Sequence, residues 1–373
     1  MKILMAISHY YPTPGGSERQ AHLLARGLRD RGHEVRVLTM RLGPGPSKDL
    51  IEGIPVHRAI RGIQRGPVFG FSYLLTGTAA MARLGRRADV LHAHHLYLDA
   101  VIATVVGRLV RVPALAKVAC GGAVGDLSRL RRMAGGGILL RILRGLDRVI
   151  APSHETETEV RRAGFSPGRI VRIPNSVDVT RFMPGETRHN GTDARTVIFL
   201  GRLEPQKGVD TLLQAWAEVA PQLPGTHLRI AGDGSQMTAL RALATQLGLA
   251  SRVEFLGVVP DPERHLRQAS VFVLPSWHEG LPNALLEAMA TGLPCVATAI
   301  GGSMDVARDE QEALLVPPGD APALSKALLR LLTDGSLARR LGATARRRVM
   351  ENFCLDSMVA RYEELYQEMR DGA

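Results

Sequence analysis

The segment SWHEGLPNALLEAMATG, residues 276–292, sets Glu279 eight residues before Glu287. The first carboxylate stands in a turn with Gly280, Leu281, Pro282 and Asn283. The second falls among Leu285, Leu286, Ala288 and Met289, on a helix whose apolar surface predicts burial. Pro282 fits a first helical position, and Gly292 and Pro294 end the helix after about Ala290. A carboxylate in apolar surroundings needs a partner. For Glu287 a ribose diol would supply two hydroxyl donors; a core arginine would serve as well. Glu279 can accept hydrogen bonds from sugar hydroxyls or stabilise positive charge on a sugar ring. As a plain surface charge it would only complement the helix dipole.

Three other segments carry chemistry. GRLEPQKG, residues 201–208, follows an apolar run and places Arg202 and Lys207 in one short loop between glycines. Arginine grips phosphate with two parallel hydrogen bonds and lysine adds a point charge, so the pair suits a diphosphate. PTPGGSE, residues 12–18, puts Gly15 and Gly16 at a helix start, where a phosphate or developing anion meets free N–H groups; a bare turn before a capped helix reads the same way. HAHH brings His92, His94 and His95 together. His92 and His94 share one strand face and His94 lies at the carboxyl end, which makes His94 the candidate site residue and His92 a core histidine. No further ligands accompany them, so no metal site is expected.

These segments need a scaffold that gathers loops at strand ends. Apolar runs alternate with helical patterns, which predicts βα units and parallel sheets. Residues 2–8, 34–40, 89–94, 113–120 and 148–153 read as strands of one sheet. A helix over residues 17–32 opens with Ser17 and Gln20 as a capping box and closes at Gly32. A second series of strands covers residues 195–201, 226–234, 251–257, 269–276 and 294–302. Residues 174–194, rich in turn formers, read as the linker. The expected architecture is two doubly wound Rossmann-like α/β domains facing a central cleft, residues 1–175 and 176–354. An amphipathic helix from residue 355 to 373 must pack on something. Ligands of such sheets bind beyond the carboxyl ends of the strands.

Composition narrows the partners. The chain has 373 residues and a formal net charge of +11. Residues 1–175 hold 27 Lys and Arg against 12 Asp and Glu, a balance of +15; the remainder hold 20 against 24, a balance of −4. A basic half suits phosphorylated sugars, an anionic lipid surface or nucleic acid. Aromatic residues are 4% of the chain, too few for base-stacking platforms, so nucleic acid is set aside. Residues 128–148 carry six arginines among Leu and Ile, a basic amphipathic helix that would lie on an anionic membrane or present a solvated face. Cys120, Cys295 and Cys354 are an odd count without metal spacing, expected as free thiols in a reducing compartment. The amino terminus reads as a core strand, not a signal peptide, and no apolar stretch is long enough to span a bilayer. The expectation is a cytoplasmic protein, peripheral on the inner face of the membrane if it meets lipid.

Over nearly its whole length the sequence resembles the retaining glycosyltransferases of family 4, which have GT-B architecture. YPTPGGSE resembles that family's glycine loop, IPNSVD its IPNGVD, GRLEPQKG its GRLxxxKG, AGDGSQ its AGDGP, and HEGLPNALLEAMATGLPCVAT its E-x7-E signature. The resemblance implies a nucleotide-diphosphate sugar donor, a glycan or lipid-linked acceptor, and no metal or other cofactor. It implies that Arg202 and Lys207 bind the diphosphate and stabilise the leaving group, that Glu279 contacts the donor sugar, and that Glu287 binds the ribose. It places the backbone of Gly280, Leu281, Pro282 and Asn283 against sugar and phosphates, and Gly15 and Gly16 toward diphosphate or acceptor. One stretch departs from the pattern. Where the family carries a histidine in a TxHG context, this chain reads AKVACGG, with Ala119 or Cys120 at the histidine's place and Lys117 for a small residue. The departure bears on the acceptor side and keeps a rival in view: a non-catalytic GT-B protein that binds a nucleotide-sugar or a membrane partner.

Overall fold

The computed structural model describes residues 1–11, 13, 15–122, 125–185 and 195–372. They form two compact units, Met1–Asn175 with Leu355–Ala373, and Ser176–Cys354.

The first unit opens with β1 (Lys2–Ile7), α1 (Gly16–Asp30), β2 (Glu34–Met40), β3 (Lys48–Ile51) and β4 (Ile54–Ile60). It continues through α2 (Pro67–Gly85), β5 (Val90–Ala93), α3 (Leu98–Val110) and β6 (Ala114–Lys117). Two short helices follow, α4 (Asp126–Arg132) and α5 (Gly136–Leu143), then β7 (Arg148–Ala151), α6 (His154–Arg162) and β8 (Ile170–Arg172). The strand order is β3-β4-β2-β1-β5-β6-β7-β8, parallel except for β3 against β4. Both faces are covered, so the inner strands read as near-continuous apolar runs rather than alternating. Leu4, Ala6, Leu91 and Ala93 face one side, packed among residues of α2 and α3. Ile3, Met5, Leu115 and Ile150 face the other, packed among residues of α1 and of the chain's last helix.

The second unit runs β9 (Thr196–Leu200), α7 (Val209–Val219), β10 (His227–Ala231), α8 (Met237–Gln246), β11 (Val253–Gly257) and α9 (Pro262–Gln268). Then come β12 (Val271–Leu274), α10 (Asn283–Ala290), β13 (Cys295–Thr298), α11 (Gly301–Val306) and β14 (Leu314–Val316). Helices α12 (Ala321–Thr333) and α13 (Gly335–Asn352) complete it. Its sheet, ordered β11-β10-β9-β12-β13-β14, is parallel throughout. The order reverses between β9 and β12, as it does between β1 and β5 in the first unit. Those reversals leave a crevice beyond the strand ends, the place where such sheets take ligands.

The last helix, α14 (Leu355–Asp371), belongs to the first unit and packs on α1. Gly27 makes that contact close, since a Cβ there would fall 2.4 Å from Val359 Cγ2. Met358, Val359, Tyr362, Leu365, Tyr366 and Met369 are buried. At roughly 1.5–3 kcal/mol for each fully buried large side chain, that stripe is enough to hold the helix in place. Glu363 adds bonds to Arg31 and, at 2.7 Å, to His33.

Four local details differ from the sequence expectations. α1 begins at Gly16 with Gly15 at its N-cap, so Ser17 sits in the first turn and the predicted capping box does not form. Pro282 is the N-cap of α10 rather than its first residue, held extended at ψ 101°. The basic stretch is two short helices, because Gly135 takes a left-handed φ of 77° between them. The hairpin of β3 and β4 turns through Glu52 and Gly53, both at positive φ, and went unread. In the expected linker, Val177 bridges to Cys354 and Asp178 caps a turn at Thr180 and Arg181; residues 186–194 lie outside the described residues.

Candidate active site

In the second unit the loops after β9, β10 and β12 are tied to one another. Gly201 N–H donates to Ala231 O at 3.0 Å and Leu203 N–H to Asp233 O at 2.9 Å. Glu204 accepts from the backbone and hydroxyl of Ser235 at 3.2 and 2.7 Å, and these bonds hold its carboxyl below the usual range. Gly232 is obligatory here, because at φ 140° a Cβ would lie 1.8 Å from Gly201 O. Buried Leu203 anchors the loop, while Arg202 points to solvent.

Lys207 ends a single 3₁₀ turn, Pro205–Lys207, and Gly208 follows at φ 63°. A Cβ on Gly208 would meet Pro275 O at 2.2 Å, so the glycine lets this loop press against the loop after β12. Trp277 N–H donates to Gln206 O at 2.8 Å across the same seam. The result is a contact that spacing alone did not announce. Lys207 Nζ lies 2.6 Å from Glu279 Oε1, with the two side chains 15% and 11% exposed. Ser276 Oγ donates to the same oxygen at 2.8 Å. Thr298 at the end of β13 donates to Ser276 O at 2.5 Å, and the glycine start of α11 packs against the carbonyls of Glu279 and Gly280.

Beyond Glu279, half-buried Gly280 leads to buried Leu281 and Pro282, and half-buried Asn283 opens α10. Glu287 is 5% exposed, one turn into that helix and surrounded by Leu285, Leu286, Ala288 and Met289. The strand reversal of this unit thus carries two cationic side chains, one paired carboxylate, one buried carboxylate and the amino end of a helix. That set suits a ligand with a diphosphate and several hydroxyls.

In the first unit the glycine loop and the histidines flank the other reversal. Gly15 is extended at φ 174°, and a Cβ on it would fall 1.9 Å from Glu18 Oε2, so the Glu18 carboxylate lies over the start of α1. His94 is 3% exposed; its N–H donates to Ala6 O at 2.8 Å, and its ring stacks on His92 with centroids 4.1 Å apart. His92 Nδ1 meets the Tyr366 hydroxyl at 2.7 Å. Among the described residues neither Nε2 has a hydrogen-bond partner. Burial, reinforced by Lys117, pushes His92 down to about 3. Burial also holds His94 well below its ordinary value, with His92, Lys117 and His95 adding to the effect. Both rings are therefore neutral near pH 7.

Two groups here, Asp99 and Asp126, escaped the sequence reading, and Lys117 entered it only as a departure from the family pattern. Lys117, at the end of β6, is 6% exposed and donates from Nζ to Asn175 Oδ1 at 2.7 Å; burial lowers it to about 7. Asp99 is buried and accepts from Tyr73 Oη, from Ser8 Oγ at 3.0 Å and from His95 Nδ1 at 3.2 Å. Burial opposes charge on His95, but the Asp99 bond, with Asp126, Asp99 and Glu18 nearby, outweighs it and raises the ring's pKa. Asp126 accepts from Leu96 N–H at 3.0 Å and Ala119 N–H at 2.8 Å, pinning the loops after β5 and β6 together. The signal for Asp99 was present as a histidine and an aspartate four apart at the start of α3. Asp126 sits in GGAVGD, whose residues 123–124 lie outside the described residues.

Two doubly wound units, one with Arg202 and Lys207 in a single loop and an E-x7-E segment at its strand reversal, have the architecture of a glycosyltransferase of the GT-B class. Comparison with known proteins agrees. Residues 14–181 match the family model for "Glycosyltransferase Family 4" and residues 194–334 that for "Glycosyl transferases group 1". Glycogen synthase of Mycobacterium tuberculosis is 30% identical over 407 residues, covering 100% of this chain and 96% of that protein. An exopolysaccharide phosphotransferase of Streptomyces coelicolor is 35% identical over 245 residues, 65% of this chain but only 25% of that protein's length. Among solved structures, sucrose-phosphate synthase of Thermosynechococcus elongatus superposes with a TM-score of 0.81 at 26% identity, with both chains fully covered. Anabaena HepE in complex with UDP-glucose has a TM-score of 0.81 at 21% identity, covering 99% of this chain and 100% of that one. The chain belongs to glycosyltransferase family 4.

Proposed function

We propose that this glycosyltransferase is a retaining hexosyltransferase that takes its sugar from a nucleotide-diphosphate donor. The acceptor is a hydroxyl on an anionic or lipid-linked glycan precursor. The observation that carries the donor reading is the Lys207–Glu279 pair at 2.6 Å, in the loop that leads into α10, whose first turn ends at Glu287.

Departure of a nucleoside diphosphate builds negative charge on the β-phosphate and oxocarbenium-like charge on the sugar. Fixed cations and a helix N-terminus lower that barrier because they need no reorganisation. Arg202 and Lys207 meet the phosphates. Glu279, with its second oxygen unused by Lys207 and Ser276, accepts from sugar hydroxyls. Glu287 accepts from the ribose. The backbone of Gly280 to Asn283 lies along the sugar and diphosphate, and the start of α1 at Gly15 and Gly16 faces phosphate or acceptor. The acceptor attacks from the leaving group's own face, and the β-phosphate takes the acceptor's proton. His94, neutral and buried, lines the acceptor side.

The family histidine's position holds Ala119 or Cys120 and no imidazole, which is the one observation that favours a binding protein without turnover. The retained Arg202, Lys207, Glu279 and Glu287 favour the enzyme. The product's anomeric configuration tests the mechanism. Proton NMR of the first product formed from an α-linked donor should show an α-linkage, and a β-linkage would refute retention.

A further inference from the structure

We propose that the exposed face of α2 is a docking surface for an anionic phospholipid bilayer. The inference stands on the first unit alone and does not depend on the donor chemistry.

Helix α2 carries no charged residue from Pro67 to Ala82. A helix that apolar is ordinarily buried all round. This one is buried on a single face, by Tyr73, Ala80 and Met81. Its opposite face is an open stripe with Val68 46%, Phe71 70% and Leu75 60% exposed, followed by exposed Ala79 one turn on. Their spacing of three and four residues puts them in one line along the helix. Ile63, 53% exposed, extends the stripe sideways. The segment that carries it is fastened along α2, with Ile63 N–H donating to Ser72 Oγ and Arg61 N–H to Thr76 Oγ1, both at 2.9 Å.

The border of the stripe has one sign. Residues 53–88 contain no Asp or Glu. Arg61 and Arg65 stand on the fastened edge, and Arg83 lies two turns beyond Thr76 on that same side of the helix. Arg86 and Arg87 follow its end. All five are exposed, and none makes an ion pair among the described residues. Arg58, by contrast, is taken up by Asp49 at 3.2 Å.

An aromatic and aliphatic ridge edged by unpaired arginines matches the interface of an anionic bilayer. Apolar side chains enter the acyl boundary and guanidinium groups stay at the phosphates on their long stems. A second copy of the chain fits the surface poorly. A two-fold interface would set the same unpaired arginines against themselves. The position is also distinct from residues 128–148, where the arginines are spread over two short helices and the start of β7.

The test is flotation of the full chain with vesicles of pure phosphatidylcholine and of equimolar phosphatidylcholine and phosphatidylglycerol. The chain should float with the anionic vesicles, float less as salt rises, and stay behind with the neutral ones. Phe71→Ser with Leu75→Ser should weaken anionic binding by about tenfold or more. Arg61→Gln with Arg65→Gln should weaken it and flatten the salt dependence. Met350→Ser, an exposed apolar site on the other unit, should change nothing. Phe71→Trp should give a blue-shifted emission only with anionic vesicles. Equal flotation of the Phe71/Leu75 variant and the unaltered chain, flotation with neutral lipid alone, or an emission that ignores the vesicles would each overturn the proposal. So would a concentration-dependent dimer that the Phe71/Leu75 changes abolish.

Discussion

Lys117→Met isolates a buried amine of the first unit. The amine is buried at the end of β6 with one hydrogen bond, to Asn175 Oδ1. Burial lowers its pKa from the usual 10.5 to about 7. Between those values the unfolded chain holds a proton there that the folded chain does not. Stability therefore rises with pH across that window, by about 1.4 kcal/mol per pH unit at most for one proton. Below about pH 7 the amine is charged in both states and the burial penalty is felt in full. Carried from pH 6.5 to 9.5, the linkage relation gives about 3 kcal/mol of recovered stability. For a unit of this size that is a rise in melting temperature of about 6–12 °C. Methionine matches the stem but does not titrate, so the variant lacks the gain, and every other titrating group cancels in the difference between the two proteins. The assay is thermal unfolding of both chains at half-unit pH steps. Their stability difference should narrow steadily as pH rises from about 7 toward 9.5, with the variant ahead at the acid end. Parallel curves would show that Lys117 keeps an ordinary pKa, and the burial argument would fail.

Other perturbations read the donor side. Lys207→Ala should cut turnover by about 10²–10³-fold, the usual cost of a lost transition-state donor, while the fold survives; normal specific activity in a destabilised variant would make the lysine structural. Glu287→Ala should weaken nucleotide binding by about 10–100-fold in calorimetry, if the proposed ribose acceptor is what is removed; unchanged affinity in a folded variant would sink the ribose role. Gly208→Ala should destabilise the second unit by roughly 1–3 kcal/mol and lower donor affinity together, because a Cβ 2.2 Å from Pro275 O must push the Lys207 turn away from Glu279; a melting temperature equal to that of the unaltered chain would show that the loop has room.

The alternation of short apolar runs with helical segments made the doubly wound sheets legible, because strands buried on both faces are mostly apolar along their length. The candidate site segments stood out in the sequence as well. Paired cations between glycines and two carboxylates eight apart are local patterns, and the chain order keeps them local. The Lys207–Glu279 contact was not legible, because it joins residues 72 apart through a strand reversal that spacing does not encode. Lys117 drew notice only as a departure from a pattern; its depth in the sheet follows from pairing with β5 and β7. Ser17 and Gln20 imitate a capping box, but Gly15 and Gly16 let the helix start earlier. Residues 128–148 look like one basic helix in composition, and Gly135 breaks them. Helix α2 offered the opposite problem: without a charge before Arg83 it has no polar face to mark solvent, so its exposure is visible only once its neighbours are in place.

The most direct test of the central claim is a thermal-shift and hydrolysis screen with UDP-, GDP- and ADP-sugars. A ligand bound by the native state alone, at about 100 times its dissociation constant, adds about 2.7 kcal/mol of stability. One nucleotide class should raise the melting temperature and be slowly hydrolysed, and Lys207→Ala should lose the hydrolysis. No shift and no hydrolysis with any nucleotide-sugar would contradict a working donor site at Arg202, Lys207, Glu279 and Glu287.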